Sequence, residues 1–242
     1  MENLRRLGGD AGVLAGLATA WLFLGLILVF PSAGLSLADQ LNPHRYLTFI
    51  AKHQTMFWTV NVPGGFVAAL LTAVLLLAMG DHFRDHAPAS ARIGPLLGIF
   101  GAAGFAAAAL IRQVGFGALS TLYVGNKVGA AYAFYALNGM VNSLVSLGDV
   151  ATGLGVLILG NVMLRTKRYG HVGYLSVVAG TAMVFSAFIA HVFLFMASFV
   201  AIIAWLLWTA LTLRAEVGSA LFRRVTERRK HERSTSEEQR VA

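Results

Sequence analysis

Residues 172–213 read VGYLSVVAGTAMVFSAFIAHVFLFMASFVAIIAWLLWTALTL, without one Lys, Arg, Asp or Glu. A membrane-crossing helix needs about 20 apolar residues, so this stretch is roughly twice one span. Beyond Gly173 and Gly180 it holds no helix-breaker, and a single helix of that length would far overshoot a bilayer. It must therefore be two helices joined by a tight turn, predicted between His191 and Ser198, with spans over about 172–191 and 196–213. That reading sets an even number of crossings for the chain.

The rest of the chain follows the same pattern. Of 242 residues, 57% are hydrophobic and 12% charged, whereas soluble domains carry about 25% charged residues. Charges gather at the ends and in short intervals between long apolar runs, which predicts an all-α, polytopic membrane protein. Further spans fall at about 11–30, 55–79, 93–113 and 135–164, making six in one domain over 1–213. The first run could be mistaken for a signal peptide, but its length fits a span better. Residues 31–54 form a mixed loop with a helical turn near Tyr46–Ile50, and 114–128 a Gly-containing loop. The 214–242 tail is basic, of mixed sign, and expected to fray into disorder.

Lys and Arg placement orients the bundle. Arg5, Arg6, Arg84, Arg92, Arg165, Lys167, Arg168 and the tail fall on one side; Arg45, Lys52 and Lys127 fall on the other, with Arg112 near it. The positive-inside rule then puts both termini in the cytoplasm, in the inner membrane of a bacterium. The net charge of +8 belongs to these flanks and to contact of the tail with anionic lipid, not to nucleic acid. The absence of cysteine removes thiolate chemistry, Cys-type zinc sites, iron–sulfur clusters and disulfides. Serine-protease, HExxH and Walker A signatures are also lacking, so no catalytic residue is assigned.

Polar residues inside apolar runs are the candidates for function. In the fourth span Asn138, Asn142, Ser146, Asp149 and Gly153 recur every three or four residues, which places them on one helix face. Such a face is expected to look into the bundle or a water-filled cavity, and Asn161 lies further along the same span. The stripe serves either as interhelical hydrogen-bond glue or as a site for a solute, proton or lipid headgroup. Arg112, at the end of the third span, is the expected charge partner of Asp149.

Pro63-Gly64-Gly65 must lie within the second span, because starting that span after them leaves too few apolar residues to cross. Pro63 lacks an N–H, so a helix break is expected there, with a freed carbonyl near Thr59. Gly12 and Gly16, and Gly94, Gly98 and Gly101, offer close-packing faces to neighbouring helices or to partner subunits. His82 and His86 in DHFRDH have metal-ligand spacing, but a solvated loop with no third ligand is the expectation, and no metal is assigned. His53 and His191, at similar depth on different helices, form a lesser candidate pair for haem; no other cofactor is evident.

The stretch LGDVATGLGVLILGNVMLRTKRYGHVGYLSVVAGTAMV, residues 147–184, resembles a bacterial family of six-helix integral membrane proteins defined only as a domain of unknown function. The shared features are Gly148-Asp149, Gly153, Leu159-Gly160, the basic turn from Arg165 to Arg168, and Gly173 with Gly180. Pro63-Gly64-Gly65 is not part of that pattern. The resemblance covers most of residues 8–213, and it implies the six-span topology and a role for Asp149 without naming a reaction. Sequence alone favours an accessory or scaffold subunit of a membrane complex. A carrier or channel for a small solute or lipid is the alternative, and a haem-binding or enzymatic membrane protein comes third.

Overall fold

The computed structural model describes residues 2–167, 169–189 and 191–241, with side chains over 3–167, 169–189 and 191–216. Arg168 and the side chains of the basic tail beyond residue 216 lie outside the described residues. No strand occurs among the described residues. Six helices are long and apolar enough to cross a membrane: α1 (Asn3–Ser32), α3 (Gln54–Phe83), α4 (Ser90–Gly125), α5 (Lys127–Thr166), α6 (Gly170–Phe188) and the first part of α7 (Val192–Glu216). In backbone terms α7 continues to Val241. A short helix, α2 (Pro43–Lys52), sits in the first connection.

Each long helix packs on its sequence neighbours, and α7 returns to pack on α1. The six therefore close into a ring. Small residues let the seams close. A β-carbon on Gly12 would lie 2.7 Å from Ala210 Cβ, and one on Gly16 would lie 2.6 Å from the Leu207 side chain. The outside of the ring is apolar, with Leu14, Leu17, Leu77, Leu96, Phe100, Trp208 and Leu211 all exposed. A water-soluble bundle turns such residues inward.

Helix α5 holds two neighbours by backbone contact. A β-carbon on Gly155 would stand 2.5 Å from the Gly94 carbonyl oxygen and 2.8 Å from the Gly98 nitrogen on α4. One on Gly153 would stand 2.8 Å from the Gly180 carbonyl oxygen on α6. Residues two apart on a helix point to nearly opposite sides, so Gly153 and Gly155 serve the two neighbours separately.

Three helices carry one π-helical turn each: Gly25–Val29 in α1, Val62–Val67 in α3 and Ile111–Gly115 in α4. They adjoin one another, since a β-carbon on Gly64 would lie 2.9 Å from Leu22 Cα of α1, and one on Gly65 would lie 2.9 Å from Ala109 Cβ of α4. Pro63 lies in the middle one of the three. The carbonyl of Thr59, four residues before Pro63, instead accepts the Trp21 indole N–H of α1 at 2.8 Å. An unmade backbone bond in α3 thus becomes a tie to α1.

Two apolar clusters cap the ring interior. One gathers Leu75, Leu76, Val156, Leu159, Trp205 and Leu206. There Trp205 donates its indole N–H to Ser176 at 2.8 Å, and Ser176 donates to the Val172 carbonyl at 2.7 Å. The other gathers Leu26, Phe30, Tyr46, Phe57, Phe116 and Phe134. Tyr46 is supplied by α2, which begins at Pro43 with Asn42 as its cap, accepting from the His44 and Arg45 N–H groups at 3.0 and 3.3 Å. Beside that cap, the Ser36 hydroxyl and N–H, with Arg45, hold the Asp39 carboxyl below its usual range. This clamp is present above the ordinary aspartate value and is lost as pH falls through the lower folded value.

Several element ends differ from the sequence expectation. Helix α4 runs on to Gly125 rather than stopping at 113, because its π-helical turn absorbs Gly115 and because Phe116 and Leu119 bury against α2 and α5. Helix α5 begins at Lys127, where the Asn126 side chain accepts the Gly129 N–H at 2.9 Å. Helix α6 ends at Phe188 and α7 begins at Val192, so the chain leaves α6 before the predicted 191–198 turn. His82 is not in a solvated loop: α3 extends through Phe83, and His82 is buried with Tyr169 Oη 3.0 Å and Glu216 Oε2 3.4 Å from its Nε2. His86 is exposed.

Two substitutions test this architecture. Trp21→Phe keeps the ring's bulk but loses the bond to Thr59, and is expected to cost about 1 kcal/mol in a detergent unfolding titration. Gly155→Val drives side-chain carbons into the α4 backbone and is expected to cost more, about 3 kcal/mol or loss of folded protein. Equal stability of the two variants would contradict the close α4–α5 contact.

Candidate functional site

Between the two apolar clusters lies a cavity of about 160 Å³ lined by residues from all six long helices. Most of its wall is apolar, from Leu22, Leu26, Ala68, Ala69, Phe105, Ala108, Ala109, Val145, Met183, Phe199 and Ile202. The polar lining consists of Thr19, Asn61, Thr72, Arg112, Asp149, Thr152 and Ser198.

Most of the uncharged groups have their protons committed to their own helices. Thr19, Thr72 and Ser198 donate to the carbonyls of Ala15, Ala68 and Phe195, each at 2.8 Å. Asn61 Nδ2 donates to the Phe57 carbonyl at 2.9 Å, and Thr152 reaches the Gly98 carbonyl at 3.4 Å. What they turn to the cavity is chiefly oxygen lone pairs. The guanidinium of Arg112 is the strong donor of the site.

Asp149 and Arg112 line the same cavity, yet no salt bridge joins them among the described residues. Gly101 faces Gly148 and Thr152 across the α4–α5 seam, and Gly104 faces Leu144. That register sets Asp149 level with the Gly101–Gly104 turn. Arg112 is two to three helical turns further along α4, an axial offset of roughly 12–16 Å. An arginine stem is too short to close such a gap. Asp149 instead meets the Ser186 hydroxyl of α6, 3.5 Å from its Oδ2. Arg112 is near Tyr46, whose phenol is pushed above its usual range by burial while the Arg112 charge opposes that push.

The polar face of α5 divides. Asp149 lines the cavity, and Asn138 and Ser146 are half-buried, but Asn142 is exposed. Asn142 lies on the same side of α5 as Gly153, the side covered by α6. Helix α6 ends at Phe188, just past Ser186 and its contact with Asp149, so nothing from it reaches back to Asn142. Asn161 is exposed as well. Pro63 sits in the π-helical turn without lining the cavity, whereas Gly64 and Gly65 belong to its wall.

The two histidines considered for haem do not line this cavity. His53 terminates α2 with its ring 4.9 Å from that of Phe49. His191 accepts the Phe193 N–H through Nδ1 at 3.3 Å, as a cap on α7. Among the described residues no group of three His, Asp or Glu side chains has a metal-holding arrangement.

Sequence reasoning did not single out Thr19, Asn61, Thr72, Thr152, Ser186 or Ser198. Their only signal was a lone polar residue in an apolar run, which is also how a serine or threonine bonded to its own helix reads. No family model, no curated protein and no solved structure matches this chain.

Asp149 keeps a carboxyl group in a mostly apolar chamber with one long hydroxyl contact. If stability were its purpose, removing it would weaken the fold. The expected outcome is the reverse: Asp149→Leu raises the melting temperature of the detergent-purified protein by a few degrees, about 1 kcal/mol. A drop of similar size would identify Asp149 as interhelical glue.

Proposed function

We propose that the chain is a multi-pass integral membrane protein whose helix ring forms a binding chamber for a small solute, as in a carrier or a solute-binding membrane component. One observation carries this reading: Arg112 and Asp149 line a single chamber walled by all six helices and do not neutralise one another. Ionisable groups at membrane depth are costly, and where they occur they mark substrate or ion pathways. The many large apolar residues on the exterior support insertion in a membrane, and the distribution of Lys and Arg supports both termini in the cytoplasm.

A subunit role drew on glycine faces as contact surfaces for other proteins. Gly12, Gly16, Gly94, Gly98 and Gly101 are instead taken up by contacts inside the ring. That leaves the subunit reading without the feature that favoured it. The π-helical turns of α1, α3 and α4 border the chamber through Leu26, Gly64, Gly65 and Arg112. Such turns recur at functional sites, where one surplus residue lets a helix adjust.

The cysteine-free chain makes the test clean. Single cysteines replacing Asp85 and Lys127 are expected to react with a membrane-impermeant maleimide from opposite faces of oriented vesicles. A cysteine replacing Ala109, in the chamber wall, is expected to react with a small charged thiosulfonate from one face. Labelling of Asp85→Cys and Lys127→Cys from the same side would refute the topology. An Ala109→Cys thiol that reacts from neither side would refute a solute chamber.

A further inference from the structure

We infer that the chamber takes a dipolar solute, an anionic group and a cationic amine joined by an apolar spacer, with the anion on Arg112 and the amine on Asp149. This rests on the chamber reading above and names its ligand class. The two charges are of opposite sign and occupy different levels of one cavity whose intervening wall is Phe105, Ala108, Ala109 and Val145. Neither has an oppositely charged partner within salt-bridge distance among the described residues.

Charge complementarity sets the polarity of the ligand. A simple cation would leave the guanidinium unmet, and a simple anion would leave the carboxylate unmet, in a medium where an unmet charge is expensive. A dipolar ligand meets both and brings no net charge into the membrane. The hydroxyl oxygen of Thr72, one turn from the Leu76 that packs on Gly98, lies toward the Asp149 level and adds an acceptor for a remaining N–H of an ammonium.

Register sets the length. The axial offset between Arg112 and Asp149, shortened by the inward reach of both side chains, leaves roughly 5–10 Å between the ligand's charged ends. That suits an apolar chain of several methylenes, and it excludes an α-amino acid whose ammonium and carboxylate sit on one carbon.

The test uses the full chain in lipid nanodiscs and isothermal titration with 6-aminohexanoate, hexanoate, hexylamine and glycine. The expected result is 6-aminohexanoate binding at least tenfold more tightly than either single-charge analogue, with no heat from glycine. Arg112→Gln should abolish the advantage over hexylamine, and Asp149→Asn the advantage over hexanoate. Each variant should still bind the analogue that retains its remaining charge partner, which serves as the check that it is folded. If hexanoate or hexylamine binds as tightly as 6-aminohexanoate, or if the two variants lose both advantages alike, the dipolar assignment is overturned while the chamber stands. If none of the probes binds, the ligand class falls; if the Ala109→Cys thiol is also unreactive from both faces, the chamber reading falls with it.

Discussion

The backbone contact of α5 with α4 and α6 is the constraint on which the rest of the molecule depends. Three helices can run this close only where neither side of a seam carries a β-carbon, and Gly153 with Gly180, and Gly155 with Gly94, provide that on two seams. With α5 locked from both flanks, its remaining inward arc is the one bearing Val145, Asp149 and Thr152. The glycines therefore do more than pack. They fix the rotation of α5 about its axis, and that rotation decides that a carboxylate faces the chamber instead of a neighbouring helix.

Pro63 has a related role on the other side of the ring. Away from water an unmade backbone hydrogen bond is costly, so the Thr59 carbonyl needs a donor. Trp21 supplies it from α1. The π-helical turn that follows turns Gly64 toward α1 and Gly65 toward α4, so one irregular segment seats α3 between both neighbours. Proline, indole and glycine pair act together here.

Much of the fold was legible because it follows from counting. The uncharged stretch from 172 to 213 required two helices, and Pro63-Gly64-Gly65 had to fall inside a span, on length alone. The continuation of α4 through Gly115 was not legible. A glycine-rich segment reads as a loop unless the partners that bury Phe116 and Leu119 are known. The polar face of α5 was legible as a face, but not which part of it would be covered. Periodicity places Asn142 and Asp149 together, whereas the end of α6 at Phe188, a tertiary fact, separates them. The burial of His82 likewise depends on Tyr169 and Glu216, both distant in sequence.

The separation of Arg112 from Asp149 is the point at which packing and function meet. A ring built only for stability would bring two opposite charges together or omit them, since a paired or absent charge is cheaper than two apart. The α4–α5 register prevents pairing, and the glycines that enforce this register tolerate no sliding along the seam. A one-turn shift of α4 that brought Arg112 toward Asp149 would set Gly98 and Ala102 where Gly94 and Gly98 stand, and Phe105 where Gly101 stands, against the Gly148–Thr152 backbone. The same close contact that makes the ring stable thus holds its two charges apart.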